Sequence, residues 1–217
     1  MRMFTKSILL ALAILIAHGC AAPNSVFGAT FMDVPADYWA SNEISAGVEG
    51  GIVSGYTDQT FRPEDLVTYR EFIKMAVVAT GDDPGSYPGS DWAKNYVDAA
   101  RERGLLRSLD GEVSRLDLSI SRHHAAIVLA DAEPEWEISA VEVKAAKALM
   151  VDIRKVKDVD PIARVLFQGL MQGYQDMKFR PEDPITRAEA VCVILRLKDG
   201  HRRLDVQGYL NEVAAIE

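Results

Sequence analysis

The sequence is poor in the residues on which most enzymes and disulfide-rich scaffolds depend. Its 217 residues include two cysteines and four histidines. None of the HExxH, GxSxG, P-loop or dinucleotide-binding patterns occurs. Two cysteines cannot form a disulfide framework, and no pair of carboxylates is marked as the acid and base of a glycoside hydrolase. We therefore expect a protein with no catalytic residues, no metal site and no cofactor.

Positive charge is also scarce. Lys and Arg number 24 against 32 Asp and Glu, which gives a formal net charge of −8. Nucleic-acid-binding domains present a basic surface, so this balance argues against a nucleic-acid partner. Any site for an anion must be a local group of arginines on an acidic background.

Long apolar runs are missing after the amino terminus. Residues 8–17 are uninterruptedly apolar and follow Arg2 and Lys6, which is typical of a secretory signal peptide and too short to span a bilayer. We predict a signal peptide over residues 1–29 and an exported protein, extracellular or at the cell wall or cell surface, without a transmembrane helix. Loss of this leader would take the net charge to −10.

Two cleavage sites remain open. A small residue precedes Cys20, as in lipoprotein leaders, but Ala17 stands where such leaders usually have Leu, and His18 is also unusual there. Cleavage near Ala29 is the favoured alternative. The first site would make Cys20 a lipid attachment point, and the second would remove it.

What the sequence does contain is a repeat. Residues 55–71 and 173–189 are identical at ten of seventeen positions, at an offset of 118 residues. Each copy begins with Gly-Tyr-x-Asp and Phe-Arg-Pro, which favour turns. A Thr-x-x-Glu capping box follows and predicts the start of a helix. In the later copy Cys192 falls on the apolar face of that helix, where buried packing is expected.

A degenerate copy lies between these two. At an offset of 53 residues from the first copy, Trp92 matches Trp39 and Arg115 matches Arg62. The Gly-Tyr turn is lost. Its helix start, at residues 121–124, keeps the cap and an arginine but lacks the Glu.

This pattern resembles the S-layer homology module. The residues that carry the resemblance are Phe31-Met32-Asp33-Val34, Trp39-Ala40, Gly51-Ile52-Val53-Ser54-Gly55-Tyr56, Phe61-Arg62-Pro63 and Thr186-Arg187-Ala188-Glu189. The resemblance implies an all-α fold of three tandem helix–loop–helix repeats that form a pseudo-threefold helical bundle. It also implies binding to secondary, often pyruvylated, polysaccharide in Gram-positive cell walls.

The copies divide the chain into six parts. These are the signal peptide (1–29), repeat 1 (30–82), repeat 2 (87–134, degenerate), a helical insertion (135–157), repeat 3 (158–200, with a truncated start that lacks the tryptophan) and a carboxyl-terminal tail (201–217) that could add a helix. The insertion helix is expected near Ala140 and could replace packing surface missing from repeat 3.

Arg187 and Arg122 are the leading candidates for binding a ligand. Each follows a helix cap, Thr186 or Ser121, beside amides expected to be free, and a guanidinium pairs well with carboxylates. In repeat 1 a tyrosine takes this place, and Arg70 is turned from it by about 100°. The alternative for these arginines is a surface ion pair.

Three further arginines and two tryptophans recur at matching positions. Arg62 and Arg180, with Arg115, could either bond to loop carbonyls or face a groove. Trp39 and Trp92 could stack on sugars, although a core role is favoured because a large aromatic usually dominates a small core.

Two functional hypotheses follow. The first is a non-catalytic cell-surface anchoring module that binds an anionic, pyruvylated polysaccharide through arginines at helix amino termini. The second is an envelope protein, lipid-anchored at Cys20, whose helical repeats bind a protein partner. A surface-layer protein partner is compatible with both.

Overall fold

The computed structural model describes residues 31–109 and 116–206. Its helices are α1 (Ser41–Glu49), α2 (Tyr69–Thr80), α3 (Lys94–Glu102), α4 (Arg122–Ala132), α5 (Ala140–Leu149), α6 (Asp160–Phe167) and α7 (Arg187–Lys198), with 3₁₀ turns at Val151–Lys155 and Gly200–Arg202. These residues contain no β-strand, so the predicted all-α fold is confirmed. The leader with Cys20, Arg115 and most of the tail lie outside the described residues. No helix in the described ranges is long and apolar enough to cross a membrane.

Side-chain caps define where the helices begin. Thr68 and Thr186 each form a complete capping box with the Glu three residues later, as predicted. Ser121 caps α4 through the amide of His124, without a reciprocal carboxylate. Ser139 forms a further box at the start of α5. The sequence therefore encodes these four helix starts locally.

The segments that precede α2, α4 and α7 are joined in a closed ring of backbone hydrogen bonds. The amide of Val67 donates to the carbonyl of Ile185 (3.1 Å), Ile185 donates to Ile120 (3.1 Å), and Ile120 donates to Val67 (2.9 Å). All three residues are buried. This ring lies on a pseudo-threefold axis and holds together parts of the chain that are far apart in sequence.

Bonds that run around the axis in the opposite order satisfy the first amides of the three helices. Tyr69 donates to Leu118 O, Arg122 to Asp183 O, and Arg187 to Asp65 O, at 2.9–3.0 Å. The next amide of each helix is also bonded to the neighbouring loop. The expectation of free amides beside Arg187 and Arg122 is therefore wrong, because the adjacent unit supplies their acceptors.

Helix packing follows this order as well. Helix α2 packs against α3, α4 against α6, and α7 returns to pack against α1. Each of these long helices thus pairs with the first helix of the next unit, and the last pair closes the circle. Helix α5 packs on α6, the helix whose unit lacks the tryptophan.

In each unit a glycine follows the end of the first helix. Gly51, Gly104 and Gly169 follow α1, α3 and α6 with φ of 69°, 74° and 69°. This left-handed conformation is costly for residues with a Cβ atom. Their agreement shows that the third unit has a first helix in the same place as the other two.

An aspartate at the start of the first and third units ties each unit to its own loop. Asp33 accepts hydrogen bonds from the amides of Phe61 and Arg62 at 2.8 and 2.7 Å. The counterpart of Asp33 is Asp152, which accepts from Phe179 and Arg180 at 2.9 and 2.7 Å. Asp152 lies in the stretch that the sequence analysis assigned to the insertion, six residues before the expected start at 158.

Candidate ligand grooves

Two grooves are related by the pseudo-threefold axis. The first groove, with a volume of about 310 Å³, is lined by Ile52, Val53, Ser54, Gly55, Tyr56, Glu71, Lys74, Met75, Trp92 and Arg187. The second groove, of about 200 Å³, is lined by Trp39, Arg122, Met171, Gln172, Gly173, Tyr174, Glu189, Cys192, Val193 and Arg196. In each groove one unit supplies a Gly-Tyr loop and a capping Glu, a second supplies a Trp, and the remaining one supplies an Arg.

Arg187 reaches from the start of α7 into the loop of the first unit. Its Nε donates to the carbonyl of Phe61 (3.0 Å) and its Nη2 to that of Ser54 (3.1 Å). The guanidinium lies over Tyr56, 5.0 Å from the ring centroid. Its Nη1 makes no hydrogen bond with the described part of the chain, so this half-buried side chain retains a donor for a ligand.

Arg122 makes the equivalent bonds to the loop of the third unit. Its Nε and Nη2 donate to the carbonyls of Phe179 (2.8 Å) and Gln172 (2.7 Å). Unlike Arg187, it also uses Nη1, which pairs with Glu189 at 3.4 Å, and it is only 4% exposed. Every nitrogen of this guanidinium therefore has a partner within the protein.

Glu189 has a second role besides capping α7. Its other oxygen accepts a hydrogen bond from the hydroxyl of Tyr174 at 2.7 Å. Burial raises the pKa of Tyr174 to about 12, and the bond to Glu189 adds to the rise while Arg122 opposes it. Arg122, Glu189 and Tyr174 thus form a closed polar cluster at one end of the second groove.

The first unit has Tyr69 where the other two have these arginines. Its hydroxyl contacts Nδ1 of His124. Arg70, the next residue, pairs with Asp91 at 3.2 Å and Asp117 at 2.6 Å. Arg70 is therefore engaged by two carboxylates of the second unit and lines neither groove.

Arg62 and Arg180 each stabilise the loop in which they lie. Arg62 covers Tyr56 at 3.9 Å and pairs with Asp58 at 2.9 Å. Arg180 repeats this arrangement with Tyr174 at 4.0 Å and Asp176 at 3.2 Å. Bonds from Thr60 and Arg62 lower the pKa of Asp58 to about 2. Of the two alternatives for these arginines, the contacts favour the structural one, with aspartates rather than carbonyls as partners.

The two tryptophans differ in burial. Trp39 is 57% exposed at the second groove and is therefore not part of the core, contrary to the favoured expectation. Trp92 is half-buried, packs against the core and meets Tyr96 edge-on at 6.2 Å. Both line a groove, so each presents an aromatic surface there.

Two basic groove residues were missed by the sequence analysis. Lys74 lies in the first groove and Arg196 in the second. They follow the capping glutamates by three and seven residues, spacings that place side chains on one face of a helix. The periodicity that identified the buried face could have identified this face too. Cys192, at the position of Lys74, is buried as predicted.

The third position around the pseudo-threefold axis is lined by residues of a different kind from those of the two grooves. A cavity of about 500 Å³ is lined there by Ser108, Leu109, His123, His124, Ile127, Asp152, Lys155, Val156, Lys157, Asp158, Pro181 and Glu182. Lys157 stands at the offset of 118 residues from Trp39. His123 bonds through Nε2 to the backbone carbonyl of Asp158 at 2.9 Å. The described residues hold no group of side chains suited to a metal ion.

Comparison with known protein families matches these units to one domain type. Residues 30–73 and 151–191 match the model of the S-layer homology domain. The second match begins beside Asp152, at the start of the third unit as the hydrogen bonds define it. The middle unit is not included in either match.

The curated relatives are larger surface proteins and enzymes. The S-layer protein EA1 of Bacillus anthracis is 23% identical over 92% of this chain, which covers 24% of that protein. The surface-layer 125 kDa protein of Lysinibacillus sphaericus is 30% identical over 57% of the chain and 12% of its own length. An amylopullulanase of Thermoanaerobacterium thermosulfurigenes is 28% identical over 77% of the chain and 9% of its own length. The chain thus spans less than a quarter of each of these relatives.

Proposed function

We propose that this protein is a non-catalytic cell-surface anchoring module that binds an anionic, pyruvylated secondary cell-wall polysaccharide. All three units act in this proposal as S-layer homology repeats, the middle one in degenerate form. The matched domain type and the S-layer relatives support the anchoring role. The contents of the first groove support the choice of an anionic sugar.

The observation that carries the proposal is a local excess of positive charge beside an aromatic surface. Arg187 and Lys74 line the first groove together with one acid, Glu71, although the chain as a whole is acidic. Glu71 is held by its bonds to the amide and hydroxyl of Thr68. The groove can therefore receive a carboxylate without first displacing an ion pair.

The geometry suits a sugar that carries a carboxylate. Nη1 of Arg187 can donate a charge-assisted hydrogen bond to the acid group. Trp92 can pack against the apolar face of the pyranose ring. Thr186 and Ser121 then act indirectly, because they fix the helix starts from which Arg187 and Arg122 extend.

The test is co-sedimentation with purified Gram-positive wall sacculi, before and after the secondary polysaccharide is removed. We expect binding that is lost on removal and that weakens as salt is added. Lys74→Gln and Arg187→Gln should each weaken binding about tenfold or more, the value of one charge-assisted hydrogen bond. Lys74 makes no ion pair with the described residues, so Lys74→Gln tests the groove even if Arg187→Gln unfolds.

Lys144→Gln provides the matched control, because Lys144 is exposed on α5 and lines no groove. It removes the same charge and should bind like the parent. Equal losses in all three variants would indicate a general charge effect and contradict a site in the first groove. Binding that survives removal of the polysaccharide, or no binding to either preparation, would overturn the proposal and favour a protein partner.

A further inference from the structure

Arg196 is a buried cation on the wall of the second groove. It is 8% exposed, and within the described residues its side chain makes one hydrogen bond, from Nη1 to the carbonyl of Leu170 at 3.2 Å. No carboxylate of the described chain pairs with it. An arginine remains charged when buried, and a buried charge without a counter-charge is unfavourable.

The scaffold does not require a cation at this position. The corresponding residue in α2 is Val78, which is buried among apolar side chains. In α4 it is Asp131, which accepts hydrogen bonds from the amide and hydroxyl of Ser108, both at 2.8 Å. The helix thus accommodates an apolar or an acidic residue here. The positive charge of Arg196 needs another explanation.

The rest of the second groove supplies a surface for a sugar but no available cation. Arg122 is occupied by two carbonyls and Glu189, as described above. Arg196 lies seven residues after Glu189, so the two side chains are about 10 Å apart along the same face of α7. Cys192 and Val193 form the apolar wall between them, and the exposed ring of Trp39 lines the same cavity.

We propose that Arg196 is the anion-binding residue of the second groove, where it pairs with the carboxylate of an acidic pyranose stacked on Trp39. This inference rests on the proposed function and adds a second, differently built site to it. The ligand carboxylate provides the counter-charge that Arg196 lacks within the protein. A neutral sugar would leave that charge uncompensated, so the groove discriminates between the two.

The two tryptophans allow each groove to be observed separately. The indole N–H resonances of Trp39 and Trp92 in the ¹⁵N-labelled protein, assigned with Trp→Phe variants, report on the second and first grooves. The probes are the 4,6-pyruvate ketal of methyl glucoside, methyl glucuronide and the methyl esters of both. We expect the carboxylated probes to shift both resonances. If the position of the pyruvate matters, the ketal alone should do so. The dissociation constants of the carboxylated probes should be at least tenfold lower than those of their esters.

Arg196→Met is the decisive variant. It should abolish the shift of Trp39 and leave that of Trp92 unchanged, while Arg187→Gln should do the reverse. Lys198→Met, an exposed neighbour on the same helix, should behave like the parent. A Trp39 resonance that still shifts in Arg196→Met, or that never shifts while Trp92 does, would overturn the role of Arg196 and leave the anchoring function standing.

Thermal unfolding separates this role from a structural one. Replacement of an uncompensated buried charge by an apolar side chain of similar size is commonly neutral or stabilising. Arg196→Met without ligand should therefore unfold at or above the temperature of the parent. A marked loss of stability would show that Arg196 serves the fold, which would contradict the proposal.

Discussion

Arg187 donates a hydrogen bond to the carbonyl of Phe61, a residue 126 positions earlier in the chain. Arg122 makes the same bond to Phe179, 57 positions later. In both units the arginine at the helix start therefore holds the loop of a different unit. The residue with the strongest sequence signal for ligand binding also connects the units to one another.

Truncation of Arg122 should destabilise the protein strongly. Arg122→Ala leaves the carbonyls of Phe179 and Gln172 without this donor and removes the cation that pairs with Glu189, at a cost of about 3–5 kcal/mol. Arg62→Ala removes an arginine whose side chain is 44% exposed and paired at the surface, and should therefore destabilise the protein much less. Urea unfolding followed by circular dichroism measures both. Similar losses for the two variants would refute the distinction between them.

Gly169 should tolerate substitution less well than Gly51. Both have positive φ, so alanine at either site costs about 1–2 kcal/mol. A Cβ atom at Gly51 would meet open space, whereas at Gly169 it would collide with the backbone of Leu204, 2.8 Å away at the nitrogen. Gly169→Ala should therefore cost a further 1–3 kcal/mol or so in the free energy of unfolding. Equal costs would mean that the segment around Leu204 is readily displaced.

Asp152 should be more important to the third unit than Asp158. Asp152→Ala removes the acceptor of two backbone amides and should reduce the free energy of unfolding by about 2–3 kcal/mol, as should Asp33→Ala. Asp158 is exposed and its carboxylate makes no hydrogen bond with the described residues, so Asp158→Ala should change stability little. Denaturant titration of the three variants is sufficient. A larger loss of stability in Asp158→Ala than in Asp152→Ala would support a start of the third unit at residue 158.

Alkaline pH should weaken the protein in part through Tyr174. The pKa of this phenol is about 12 in the folded protein and about 10 in an unfolded chain. Its contribution to stability is complete below pH 10 and is lost between pH 10 and 12, because the unfolded state ionises first. The free energy of unfolding of Tyr174→Phe should therefore fall less than that of the parent over this range. Tyr87→Phe, in the linker, is the control and should follow the parent.

Local sequence signals predicted the helix starts and the class of fold. Thr68, Ser121 and Thr186 all cap helices, since each cap bonds to an amide only three residues later in the sequence. The role of Asp152 was not predicted because this residue lies in a 3₁₀ turn and stands one residue off the repeat offset. Hydrogen bonds to Phe179 and Arg180 reveal its role, and such long-range bonds leave no local pattern.

The pairing of the groove arginines and the exposure of the groove tryptophans could not be predicted for a related reason. Arg122 and Arg187 each follow a helix cap in the sequence, so the same role was expected for both. They differ because Glu189 pairs with Arg122, whereas Glu71 makes no such pair with Arg187. Trp39 and Trp92 occupy equivalent positions, yet the amount of surface left exposed depends on how each pair of units packs.

The ring formed by Val67, Ile120 and Ile185 makes the number of units a fixed property of the molecule. In a linear stack, a repeat can be added or deleted and the remaining interfaces persist. Here each segment is both donor and acceptor, so removal of one leaves an unmatched amide and an unmatched carbonyl in the two that remain. A chain that ended after α4 would expose this gap, and the matching segment of a second molecule could fill it. Shortening the protein by one unit should therefore lead to exchange of segments between chains rather than to a smaller version of the same fold.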